Sequence, residues 1–258
     1  MEKEKITAKD IENLLIEERD DKQRNNLMRF FKTGKGEYGE GDSFLGLKVP
    51  QTRAIVKEAK LRIDMQEIEH LLYSKWHEVR LSALLLLVEE MKSNLPKRKD
   101  SEETLKIKFT RRKEIATFYL RHARQANNWD LVDLSCEYVL GVYLRLSDKE
   151  DYEILYSLAK SENLWEQRIA IVTTLEFIRN GIFNPTLQIS DLLLNHHHDL
   201  IHKAIGWMLR EIGKRDKDIL LDYLERNFAR MPRTTLRYAI EKFPAPERQH
   251  WLNRKRIN

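Results

Sequence analysis

The chain has 258 residues, 41% of them hydrophobic and 34% charged, and its 46 basic and 41 acidic side chains leave a net charge of +5. Glycine (9) and proline (6) stand at about half their ordinary usage, which excludes barrels and sandwiches with a turn after every short strand. Aromatic and branched aliphatic residues are too plentiful for disorder, and no apolar run approaches the length of a membrane span.

The opening M-E-K-E-K-I-T carries no apolar segment, so no secretion signal is expected. The single cysteine, Cys136, is expected as a buried helical thiol, and the protein as cytoplasmic and monomeric. The periodicity predicts amphipathic helices over 8–19, 22–33, 50–60, 64–73, 76–93, 109–123, 128–145, 151–160, 164–180, 186–195, 199–215, 217–227, 232–242 and 246–253. Asp64 and Asp151 are expected to cap two starts, Pro232 to occupy a first turn, and Gly181 to stop a helix. Five of the nine glycines (Gly34, Gly36, Gly39, Gly41 and Gly46) fall in one loop, 34–46. This loop is no phosphate-binding P-loop, because no Lys-Ser/Thr pair follows at the required spacing. Lys32 and Lys35 flank its start, and its glycines would let backbone amides come close to phosphates, but Glu37, Glu40 and Asp42 count against that approach.

Four segments look alike: W-H-E-V-R-L-S-A-L, L-W-E-Q-R-I-A-I-V, D-L-I-H-K-A-I-G-W and R-T-T-L-R-Y-A-I-E. Each carries a cation (Arg80, Arg168, Lys203, Arg237) ahead of an apolar stripe, at separations of 88, 35 and 34 residues. Region 128–145 fills the long gap. The spacing predicts a HEAT-like helical-repeat solenoid, a curved α-α superhelix in one domain over 1–258, ending in a short basic tail. The concave face of such a superhelix suits an extended partner.

Within N-N-W-D-L-V-D, Trp129 and Asp133 stand at i, i+4, on one helix face. An indole beside a carboxylate suits a cationic ligand; equally, a core indole and a solvated acid have this spacing. Asp130 points elsewhere around the helix. Lys203, Trp207 and Arg210 form a cation–aromatic–cation stripe of the kind that stacks on bases and neutralises phosphates, although Trp207 packing against the next helix gives the same pattern. Gly206, costly inside a helix, signals a close approach at that surface. Arg168 suits either a phosphate or a neighbouring repeat. His196, His197, His198 and His202 lack an accompanying carboxylate set, so they predict a polar interhelical loop rather than a metal site; no metal or organic cofactor is implied.

Four separated motifs now stand together. They are R-F-F-K-T-G-K-G-E-Y-G-E-G-D-S-F-L-G-L-K-V-P, N-N-W-D-L-V-D, E-N-L-W-E-Q-R-I-A-I and H-K-A-I-G-W-M-L-R-E. In order and spacing they resemble the AlkD-like DNA alkylation-repair family over about residues 22 to 240. The resemblance implies a HEAT-like solenoid and DNA N-glycosylase activity on N3- and N7-alkylated purines in duplex DNA. It places the family's catalytic aspartate on Asp133, its aromatic partner on Trp129, its second tryptophan on Trp207, and its DNA-backbone arginines on Arg168 and Arg210. An aromatic that is tyrosine in well-known members falls on Phe30, and the Gly-rich insertion after Thr33 is absent from some members.

Such lesions carry positive charge, so the base leaves neutral and the sugar becomes oxocarbenium-like. A fixed carboxylate, Asp133, can stabilise that centre or position water, and Trp129 and Trp207 offer electron-rich faces to a cationic sugar or base. Two other functions share the fold: a DNA-structure binder without catalysis, and a scaffold for protein partners, which would present an apolar rather than a basic concave face.

Overall fold

The computed structural model describes residues 4–147 and 152–255. Among these the chain is helical throughout, with one isolated bridge, Ser43 to Trp76, as its only β pairing. Two compact units divide it, 1–139 and 140–258.

In the first unit, α1 (Ala8–Glu17), α2 (Asp21–Phe30), α3 (Val49–Ala59) and α4 (Met65–Leu72) precede α5 (His77–Ser93) and α6 (Glu102–Arg121). The start of α1 is set by a capping box between Thr7 and Asp10, and the start of α2 by the Asp20 side chain. Helix α5 is the core: every residue from His77 to Val88 is buried, and α1, α3, α4 and α6 pack against it. A helix apolar all round belongs inside the fold. Three ionisable side chains nevertheless open it, and they build the site below. A single turn, α7 (Trp129–Asp133), packs on α5.

In the second unit, α8 (Val142–Arg145), α9 (Glu153–Ala159), α10 (Leu164–Thr173), α11 (Leu175–Arg179), α12 (Asn184–Leu193), α13 (Asp199–Gly213), α14 (Lys217–Asn227), α15 (Arg233–Ala239) and α16 (Ala245–Asn253) follow. Helix α10 packs on α9 and α13, and α13 on α14 and α15. The cations spaced 35 and 34 residues apart therefore lie on three consecutively packed helices, as a helical repeat requires.

Several expected elements changed. Helix α6 starts at Glu102, well before 109, because Ser101 caps it and Glu102 and Glu103 suit its first turn. Region 128–145 is broken: α7 ends at Asp133, a π-turn spans Glu137–Gly141, and α8 resumes. Ser135 Oγ donates to the Leu131 carbonyl at 2.6 Å, a back-bond that competes with the helix ladder. Region 164–180 is likewise interrupted at Thr174, whose hydroxyl donates to the Ile171 carbonyl. Asp64 sits at an N-cap position without a capping bond and pairs with Lys5 instead. Pro232 precedes α15, and Gly181, at φ +75°, ends α11 as expected. Asp151 lies outside the described residues, as do the last three residues of the basic tail.

Candidate functional site

The site grows from the first turn of α5. The Glu78 carboxylate is buried and accepts three backbone N–H groups, from Leu45 (2.8 Å), Gly46 (2.8 Å) and Leu47 (3.1 Å). This pins the F-L-G-L segment across α5. Gly46 is obligatory there: its φ is +102°, and a Cβ would stand 2.1 Å from the Asp20 carbonyl oxygen.

With that segment fixed, Phe44 stacks on the His77 imidazole (centroids 4.3 Å, planes 19° apart) and Phe31 stacks on Phe44 (5.0 Å, 20°). Phe31 also stacks on Trp129 (5.2 Å, 19°), while Phe30, at the end of α2, meets both Phe31 and Trp129 edge-on. These rings wall a cleft of about 440 Å³ that Leu27, Leu47, Pro50, Leu81 and Leu134 complete. Trp129, Asp130 and Asp133 line it as well, and Trp129 and Asp133 are both half-buried. The i, i+4 spacing thus brings indole and carboxylate to the same cleft, and Asp130, expected to point elsewhere around the helix, lines it too. Burial above all, then Cys136 and lastly Asp133, hold the Tyr119 phenol well above its ordinary pKa.

Beneath the rings lies a buried charge cluster that the sequence reading did not find. His77 Nε2 is 2.9 Å from Asp130 Oδ2, and His77 Nδ1 is 2.8 Å from Asp42 Oδ2. Arg80 donates to Asp42 Oδ1 at 2.6 Å. Burial by itself would lower the imidazole's pKa; the two carboxylates, Asp130 foremost, outweigh it and raise it to about 9. Burial likewise opposes the charge on Asp42, yet His77 and Arg80 hold its carboxyl below the usual range. Two cations and two anions balance, which is the condition for burying them together. The signal available in the sequence was W-H-E-V-R, three ionisable residues just ahead of the apolar run Ala83–Val88.

The Gly-rich loop turns its acids on its own backbone. Its amides at Gly34 and Gly36 are taken by the loop's own acids, Glu37 (2.9 Å) and Glu40 (2.7 Å), and Lys32 stands 3.8 Å from Glu37. Carboxylates fill the positions that phosphates would take. The loop faces inward at Asp42, which ties it to α5 and α7.

The second unit holds the remaining expected residues. On α13, Lys203 pairs with Asp199 (2.8 Å), Trp207 is half-buried, and Arg210 pairs with Glu241 and Glu211. The close approach that Gly206 signalled is α15: a Cβ there would lie 2.4 Å from Tyr238 Cβ and 2.6 Å from the Thr235 carbonyl oxygen. Arg168 is buried on α10 and donates to the Leu200 carbonyl at 2.6 Å, the neighbouring-repeat role rather than an open phosphate fork. The histidine run serves the α13 start, where the Leu200 amide donates to His198 Nδ1 and the His198 amide to His196 Nδ1. Among the described residues no cluster of three or more His, Cys, Asp or Glu is placed to hold a metal ion. Cys136 is buried. No helix of the described residues is long and apolar enough to cross a membrane.

Fold and site together define an all-helical, helical-repeat protein whose first unit sets a carboxylate and an indole on the wall of an aromatic cleft. The chain belongs to the DNA alkylation repair enzyme family, whose model matches residues 11–243. Its fold is similar to a solved structure described as a predicted DNA alkylation repair enzyme from Enterococcus faecalis, over 88% of this chain and 97% of that one, with a TM-score of 0.64 and 17% identity. No curated protein matches the chain.

Proposed function

We propose that the protein is a DNA glycosylase that hydrolyses the N-glycosidic bond of cationic N3- and N7-alkylated purines in duplex DNA. The observation that carries this reading is that Asp133 and Trp129 both line the aromatic cleft. A cationic purine has a weakened bond to C1′ and departs neutral, taking the bonding electron pair. Positive charge then grows on the deoxyribose, and water adds at C1′ and loses a proton. A fixed carboxylate opposite that carbon stabilises the developing charge, an effect worth about 3–4 kcal/mol by analogy with single oxyanion-hole donors. The electron-rich ring faces of Trp129 and Phe30 suit a flat cation. Lys203, Trp207 and Arg210 are proposed as a separate DNA-contacting stripe on the second unit. Arg168, by its burial, supports that unit's helices.

The test is release of free 7-methylguanine from methylated duplex by purified protein, with Asp133→Asn as control. Release that depends on Asp133 supports the reading. Tight, salt-sensitive duplex binding without release favours a DNA-structure binder, and absence of both favours a protein scaffold.

A further inference from the structure

The turn that carries Trp129 and Asp133 does not hold itself. Helix α7 has five residues, too few to be stable by their own backbone bonds. Its support comes from side chains. Asn128 Oδ1 accepts the Trp129 amide (2.9 Å), and Asp130 Oδ1 accepts the Leu131 amide (2.9 Å). The other Asp130 oxygen faces His77 Nε2, and His77 Nδ1 faces Asp42. Asp42 also lies 3.5 Å from Asn128 Nδ2. So Asp42, in the Gly-rich loop, reaches the start of α7 twice, directly through Asn128 and through His77 and Asp130.

Carboxylate oxygens face both ring nitrogens of His77. A carboxylate only accepts, so both nitrogens must donate, which only the imidazolium does. The cluster is side-chain buried, at 2% for His77, 5% for Asp42 and 6% for Asp130, so water does not substitute for a lost bond.

We propose that His77, clamped between Asp42 and Asp130, is a positioning residue for base release: it fixes the turn from which Trp129 and Asp133 enter the cleft, and through Asp42 it makes the Gly-rich loop part of that support. The proposal rests on the glycosylase reading for its activity arm and stands without it for its structural arm. The charged groups that meet the ring are Asp42 from the loop and Asp130 from α7; Arg80 of α5 pairs with Asp42, and Glu78 of α5 and Asp133 of α7 line the same cleft as His77. Removing the second imidazole proton turns a lone pair toward one carboxylate and releases the turn.

The experiment measures single-turnover release of 7-methylguanine from methylated duplex between pH 6 and pH 10, with spontaneous release subtracted. The proteins are wild type and His77→Gln, Asp130→Asn, Asp42→Asn and the His77→Gln/Asp130→Asn double variant. Each single variant is expected to slow release about 10- to 100-fold, the range for misaligned catalytic groups, with duplex Kd within about twofold of wild type. The double variant is expected to be no slower than the slower single, because both act through one contact. The wild-type rate is expected to fall as pH passes about 9, and the His77→Gln profile to be flat there. A second readout needs no activity: 5-fluorotryptophan NMR, with the Trp129 signal assigned by Trp129→Phe, is expected to show that signal shifted in His77→Gln and in Asp42→Asn. If His77→Gln does not fold, Asp42→Asn and Asp130→Asn carry the test. Unchanged rates, pH profiles and Trp129 signal in the folded variants overturn the proposal. If wild type releases no base, the glycosylase reading fails, and the Trp129 signal alone decides: moved, it upholds the clamp; unmoved, it overturns it.

Discussion

Phe31 stacks on Trp129 with centroids 5.2 Å apart and planes 19° apart, joining the end of α2 to the turn that carries Asp133. Its neighbour Phe30 meets the same indole edge-on while 62% exposed; Phe31 is 7% exposed. The two adjacent phenylalanines should therefore separate in experiment. Phe31→Ala is expected to cost about 3–5 kcal/mol of stability, as for a buried ring left as a cavity. Phe30→Ala is expected to cost less than about 1 kcal/mol and to act on base release. Chemical denaturation of both variants beside the release assay checks the split; equal stability losses would contradict it.

Asp133→Asn is expected to keep duplex affinity and to lose about 100-fold or more of the single-turnover release rate, the effect of deleting one preorganised electrostatic group. The substitution preserves shape and removes charge. Undiminished release from 7-methylguanine duplex would take Asp133 out of the mechanism.

The buried imidazolium predicts a pH dependence of stability. His77 has a folded pKa of about 9, above its ordinary 6.5. Its contribution is thus fully present below pH 6.5 and is lost as pH rises through about 9. Asp42, with its pKa lowered, acts oppositely: its contribution is present above the ordinary 3.8 and is lost as pH falls through the folded value. Denaturant midpoints are expected to decline between pH 6.5 and 9 in wild type and to decline less in His77→Gln. Parallel curves would show that the imidazole does not carry the effect.

Cations of the second unit should divide by burial. Lys203→Ala and Arg210→Ala are each expected to weaken duplex binding and to make the slope of log affinity against log salt shallower by about 0.9. Arg168→Ala is expected to lose about 1–3 kcal/mol of stability, because the Leu200 carbonyl loses its buried donor. A salt titration paired with thermal melting measures both, and an unchanged slope in the first two variants would make them structural cations.

Gly206→Ala places a methyl carbon 2.4 Å from Tyr238 Cβ and 2.6 Å from the Thr235 carbonyl oxygen. Helices α13 and α15 must separate to admit it, at an expected cost of about 1–3 kcal/mol. A melting temperature equal to wild type would show that the α13–α15 contact yields without penalty.

The helical class, the spacing of Arg168, Lys203 and Arg237, and the i, i+4 placement of Trp129 and Asp133 were legible in the sequence. Each depends on a periodicity within one helix or a spacing between like helices, so nearby residues encode it. Two of the expected long helices, 128–145 and 164–180, break where a hydroxyl bonds back to the ladder, at Ser135 and Thr174. The tertiary structure alone decided the support of the site. His77 meets partners 35 and 53 positions away, and Glu78 holds amides more than thirty residues upstream. Burial makes those charges pair, and which charges pair depends on how the chain folds back, which no local pattern records.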